Sequence, residues 1–209
     1  MYLYVTPLNQ VSMHPQKLFF CLALCLASFL LSAQSADRPE LRQRLDDYGR
    51  LTEALKIDSI LDYMDPQLFE LVPREMLAQQ FEAVLDSSEM LITLGGFEYG
   101  DFGESVTTGA GEFLLVPYRG RIHMELRAEE LRDSSAVAAM FSMMTASYGA
   151  DKVDYDEAAY RFDIQLDKQL VAIRRPGATL WYFIEYQPQL GEMMEPILPR
   201  EVRKALKLE

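Results

Sequence analysis

Cysteine and histidine are scarce in this chain of 209 residues, with two of each. Cys21, Cys25 and His14 all fall in or just before one uncharged run near the N-terminus, so the remainder holds no thiol and a single imidazole, His123. Disulfides, thiolate catalysis and cysteine-ligated zinc are therefore excluded beyond residue 35. Basic charge is also short, 20 Lys and Arg against 32 Asp and Glu, for a net charge of -12. Arg119 with Arg121 and Arg174 with Arg175 are pairs rather than patches, and so acidic a surface repels phosphate backbones and anionic lipid. Nucleic-acid binding is not expected. No internal period of 20 to 50 residues suggests a solenoid. No G-x-S-x-G elbow occurs, and GESVTTG around Ser105 does not supply one.

What is present begins with Leu18 to Leu31, an uncharged run of fourteen residues after Lys17, leading into Ser32-Ala33-Gln34-Ser35-Ala36. A positive head, an apolar run too short to span a bilayer comfortably and small residues at its end are the parts of a secretory signal peptide. Ala33 with Ser35 satisfies the small-x-small rule and Ala36 offers a site one residue later, so residues 1 to 35 are expected to be removed. Met13 is an alternative start. Leu24 before Cys25 argues against a lipoprotein site, and an uncleaved membrane anchor is the rival reading. Lys17 is the only lysine, arginine, aspartate or glutamate in the leader, so the mature chain carries -13. Residues 36 to 209 have the length of one domain.

From Arg38 to Leu85 the apolar spacing is helical. Leu41, Leu45, Tyr48, Leu51 and Leu55 predict a long amphipathic helix; Asp58 can cap a short second one over Ser59 to Met64; Pro73 opens a third, with Met76, Leu77, Phe81, Val84 and Leu85 as its apolar face. Met90 to Leu94 and Phe97 to Phe102 read as short strands around Gly95-Gly96, and Gly103 to Gly111 as a loop or hairpin turn. Phe113 to Leu126 reads as a long strand with Leu114, Val116, Tyr118, Ile122, Met124 and Leu126 on one face and Arg119, Arg121, His123 and Glu125 on the other. Tyr160 to Leu166 alternates in the same way, and Leu170 to Arg174 is expected to pair back on it across a tight turn. Leu180 to Tyr186 is the most aromatic strand, and Pro188 opens a helical tail with a further short helix after Pro199.

Between Asp133 and Asp151 lie seventeen uncharged residues, expected to form a helix from Ser134 or Ser135 to Gly149. Val137, Met140, Phe141, Met143, Met144 and Tyr148 spread over most of its circumference, which predicts cover on more than one side. Core packing is the plain explanation; an adaptable wall of a ligand pocket or a partner surface is the functional one. Met140, Phe141 and Met144, with Tyr118, Tyr182 and Tyr186 as hydroxyl donors, are the candidate ligand or partner residues. His123, alternating with Arg121 and Glu125, reads as a solvated residue bonded to a neighbour rather than a base or ligand. Asp151, Asp154, Asp156 and Glu157 have the wrong spacing for a calcium loop, since Ala158 and Ala159 stand where an oxygen ligand and a glycine are needed. No metal or cofactor is expected.

Three segments resemble a group of small secreted bacterial proteins: ILDYMDPQLFELVPREML at 60 to 77, YGADKVDYDEAAYRFDI at 148 to 164, and LWYFIEYQPQLGEMMEPILPREVRKAL at 180 to 206. Helices followed by strands, a helix and more strands resemble the nuclear transport factor 2-like fold. That resemblance implies an α+β class, with N-terminal helices packed on a strongly curved antiparallel sheet in a cone and a C-terminal helical tail. It supplies no set of functional residues. Proteins on this fold often pair through the sheet, so it also implies a homodimer. Enzymes on it place Asp, Tyr or His inside the cone, whereas His123 falls on the opposite strand face here. The expectation is an exported, periplasmic or extracellular, non-catalytic module that binds an apolar small molecule or a protein partner. The alternatives are a hydrolase or isomerase using a carboxylate with His123 or a tyrosine, and an envelope assembly or scaffold subunit.

Overall fold

Helix formation starts where the sequence supplies the termini. In the computed structural model, which describes residues 38–85 and 88–209, α1 spans Pro39–Glu53. Proline at its start loses no hydrogen bond, and Glu40 and Arg50 complement the helix dipole at the two ends. Leu41 and Leu45 are fully buried, each side chain contributing about 1.5–3 kcal/mol. Gly49 completes the inward stripe, with the Tyr99 hydroxyl 3.0 Å from where a Cβ would stand, so a larger residue here would have to push that ring aside.

Three further helices follow before the sheet: α2 (Ile57–Leu61), α3 (Leu68–Leu71) and α4 (Arg74–Leu85). The sequence predicts three in all. The extra one arises because Pro66 and Pro73 bracket a stretch that closes its own short turn. Asp58 lies in the first turn of α2 rather than capping it.

The sheet has six antiparallel strands and is open: β1 (Met90–Tyr99), β2 (Val106–Thr108), β3 (Gly111–Leu126), β4 (Val153–Asp156), β5 (Arg161–Arg174) and β6 (Tyr182–Glu185). The long β3–β5 ladder, from Glu112 opposite Arg174 to Glu125 opposite Arg161, is its spine. β1 and β2 flank β3, while β4 and β6 flank β5. The two β-prone segments around Gly95-Gly96 are one strand with an irregularity between Gly95 and Glu98, where Gly96 adopts φ +66. The expected turn between Leu166 and Leu170 is absent. Asp167, Lys168 and Gln169 stay in register with Arg119, Tyr118 and Pro117, and the segment holds no Asn-Gly, Asp-Gly or other glycine pair of the kind that closes a two-residue hairpin.

Alternation along the spine decides what covers it. Leu114, Val116, Tyr118, Leu166, Leu170 and Ala172 face Leu41 and Leu45 of α1, with Trp181 and Phe183 filling the same layer. Farther along, Leu126, Phe162 and Ile164 meet Met144 of α5 (Ser134–Tyr148). On the other face, Phe113, Val171 and Ile173 pack against Met194, Ile197, Leu198, Val202 and Leu206 of the tail, whose α6 spans Arg200–Ala205. The rest of that outer face carries Arg119, Arg121, His123, Arg161, Asp163 and Gln165, as the strand alternation predicts.

Buried charges staple the pieces together. Asp65, fully buried, accepts from Arg175 Nε at 2.8 Å and from the Gln67 amide at 2.9 Å. Arg175 also donates to the carbonyls of Ala110 and Ile197, joining three loops on one guanidinium. Glu112 pairs with Arg38 at 2.6 Å and with Arg174, and both guanidiniums lie over the buried Trp181 ring, at 5.4 and 4.7 Å. Burial raises the Glu112 carboxyl, but its bonds from Arg38 and Arg174 outweigh this and hold it below the usual range. Among the described residues no helix is long and apolar enough to cross a membrane; the uncharged run from 18 to 31, expected to be part of a leader, lies outside them.

Candidate functional site

α5 forms where the uncharged run predicts it. The Asp133 side chain accepts from the Ser135 amide at 2.8 Å, and the Ser135 hydroxyl, then this backbone cap, hold the Asp133 carboxyl below its usual range. Gly149, with φ +102, closes the C-terminal end. Met144 is the only buried residue, while Val137, Met140 and Tyr148 are half-buried beside it. Everything inward is thus one stripe of the helix.

The opposite side is open. Ser135, Ala138, Ala139, Ser142, Ala146 and Ser147 are exposed, as are Phe141 at 38% and Met143 at 61%. The expected cover on several sides is not there, because the tail packs on the far face of the sheet against Phe113, Val171 and Ile173 instead. An ordinary surface helix carries charge on its wet side; this one carries none.

Beside that face runs a groove of about 440 Å³ between α5 and the β4–β5 hairpin, with Val137, Phe141, Tyr155 and Tyr160 as its apolar lining and Arg132 and Glu157 as its charged one. The Tyr155 ring packs 4.6 Å from that of Phe162, and Arg132 lies 4.7 Å over Tyr160. Asp156 Oδ1 accepts the amides of Ala158 and Ala159, which tightens the hairpin. Tyr160 closes it at φ +49, and its carbonyl accepts from the Leu126 amide at 2.9 Å. Burial, with Tyr160 and Glu157 nearby, raises the Tyr155 hydroxyl above its ordinary value. Neither tyrosine is a candidate on sequence: Tyr155 reads as part of the acidic run and Tyr160 as the first residue of an alternating strand.

The six candidate residues do not form one site. Phe141 reaches both the open face and the groove, whereas Met144 and half-buried Met140 point into the packing with the sheet. Tyr118 is buried and donates to Glu185 Oε2 at 3.0 Å. Tyr182 stands half-exposed on the edge strand with Arg44 5.8 Å from its ring, and Tyr186 packs with the tail. Tyr118 lines one cleft, with Glu98 and Pro117, and Tyr186 another, with Ala146 and Lys168.

A polar group on the inner sheet face escaped the sequence reading. Lys168 Nζ donates to Glu185 Oε1 at 2.6 Å and lies 5.2 Å over the Tyr148 ring, beside an open cleft of about 530 Å³ at the end of α5. Burial, then the charge of Glu185, pushes the Tyr48 hydroxyl up to about 12; burial raises Tyr99 and Tyr118 as well. The signal was Lys168 itself, the one charge in the row Phe162, Ile164, Leu166, Lys168, Leu170 and Ala172. It reads as a turn residue only while a turn is expected there.

His123 contacts Asp163 through Nδ1, and Arg161 Nε reaches the second carboxylate oxygen at 3.1 Å. Burial raises Asp163, but these donors outweigh it and hold the carboxyl low. This pair lies on the outer sheet face, with the sheet between it and Glu185. The chain matches no protein-family model and no curated protein sequence.

Proposed function

We propose that this is an exported, non-catalytic binding module on a nuclear transport factor 2-like cone, which engages a protein surface through the outer side of α5 and the adjoining groove. One observation carries the proposal: the longest uncharged stretch after the leader folds into a surface helix that buries a single side chain. A solvated role gives no physical reason for removing every charge from that face, and an apolar contact does. A protein occupant suits it better than a small molecule, because the open face is convex and the inner layer of the sheet is filled by Leu114, Val116, Trp181 and Phe183.

The test is a photo-crosslinking residue at position 142 or, on the outer sheet face, at 165, in the protein as its own cell produces it. A discrete protein adduct from 142 and none from 165 is expected. No protein adduct at 142, or equal labelling from both, would refute the assignment. Sequencing the N-terminus of the same material tests export, with a start near residue 36 expected and a start at Met1 or Met13 against it.

A second reading has one observation in its favour. Glu185 sits beside Tyr118 on the inner face and Lys168 borders an open cleft, the kind of polar grouping a hydrolase or isomerase needs. Both donors already engage the Glu185 carboxylate, and His123 is on the wrong side of the sheet to assist. Loss of a measured turnover in Glu185→Gln would revive the catalytic assignment.

A further inference from the structure

We infer that the occupant of the α5 face is a second copy of this chain, packed as an antiparallel two-fold pair of α5 helices; this rests on the reading of that face as a protein-binding surface. Charge is the first argument. Two mature copies at -13 each repel wherever their charged surfaces meet, and the outer side of α5, uncharged from Ser134 to Ala150, is where they approach at least cost. A basic partner would be drawn to the acidic surface instead, since this face offers it no complementary charge.

The helix ends give the direction. α5 has no basic residue in its last turn, and Arg132 precedes its first. Antiparallel packing sets the two dipoles head to tail and carries Arg132 of the second copy toward a last turn with no basic residue of its own, where Lys168, over the Tyr148 ring, is already bound to Glu185. Glu129, Glu130 and Asp133 share the Arg132 end, and Asp151, Lys152 and Asp154 flank the other. Both ends are thus net acidic, so added salt should tighten the pair rather than loosen it.

Shape agrees. Ser135, Ala139, Ser142 and Ala146 form the middle of the exposed side, small enough for two helix backbones to approach closely. Two-fold symmetry then sets Met143 against Met143 on one flank and brings the two Phe141 grooves together on the other. Pairing through the sheet would instead have to bury Arg121, His123, Arg161 and Asp163, or displace the tail. α4 also exposes Met76, Phe81 and Val84, but Glu75 and Glu82 interrupt it. Helices of this length touch over only ~22 Å. Their contact alone falls short of the ~1,200 Å² of a stable interface, so the groove walls must contribute, bringing Arg132 and Glu157 to the rim of the contact, and the dimer should be micromolar rather than tight.

Cysteine linking reads the arrangement directly in the protein from its own cell, with Cys21 and Cys25 changed to serine. Ser142→Cys lies near the two-fold axis and should give a covalent dimer on mild oxidation. Ser135→Cys should not link to itself, its copies being about 16 Å apart along the axis, but should link when mixed with Ala146→Cys. By sedimentation the unmodified protein should dimerise with rising concentration, and Ala139→Glu should weaken this at least ~10-fold with an unchanged melting temperature. Self-linking of Ser135→Cys would overturn the antiparallel arrangement. A monomer at every concentration, with another protein crosslinked at 142, would overturn the second copy while leaving the binding surface standing. A monomer with no adduct at all would overturn both.

Discussion

α1 and α5 are each 15 residues long and lie on the same side of the sheet, yet they treat water in opposite ways. α1 buries Leu41, Leu45 and Gly49 and turns Glu40, Gln43, Asp46 and Arg50 outward. α5 buries Met144 alone and turns outward alanine, serine, Phe141 and Met143. The first is complete as it stands in one chain: its apolar stripe is spent and its wet side is solvated. The second has uncharged surface left over after folding, and that surplus is the physical content of the binding proposal.

The largest expected effect tests the finished helix. Leu45→Ala removes a fully buried side chain and should cost about 2–5 kcal/mol in chemical denaturation. A cost near zero would mean that α1 is not the anchor described. Met144→Ala should follow at about 2 kcal/mol, the low end of that range, because α5 is seated on one side only. Equal losses at the two sites would erase the contrast.

A smaller effect is expected in acid. The Glu112 carboxyl, which tethers Arg38 at the start of α1 to Arg174, is held low in the folded protein. Its contribution is complete above the ordinary glutamate range and is lost as pH falls through the depressed folded value. Glu112→Gln should therefore flatten the acid limb of the stability curve and lower stability at neutral pH, read as unfolding midpoint against pH. An unchanged acid limb would show that the double ion pair stabilises little. Smallest of all, Met143→Ala should leave folding within about 0.5 kcal/mol, since its side chain is mostly in water; a large loss would mean that α5 is packed more deeply than described.

Most of the architecture was legible because the strands obey a two-residue period. The alternation from Phe113 to Leu126 named both the covered face and the polar one, and the uncharged run marked α5 between Asp133 and Gly149. What misled was local chemistry read without its partners. Asp167, Lys168 and Gln169 look like a turn when only their polarity is considered, and the long ladder with β3 overrides it. Asp65 follows a bridge residue and precedes a proline, so nothing nearby in sequence announces that Arg175 will bury it. The site was half legible for the same reason. Composition flagged the methionines and Phe141, but which of them face water depends on where the tail docks, and that is settled by Phe113, Val171 and Ile173 far along the chain.

The most direct single measurement is native mass spectrometry of the protein taken from its own cell without detergent or denaturant. Covered by protein, as the account requires, α5 should give species at the mass of a dimer or a larger complex, with no small-molecule mass lost on unfolding. A monomer carrying a reproducible small ligand, released when the chain unfolds, would contradict it.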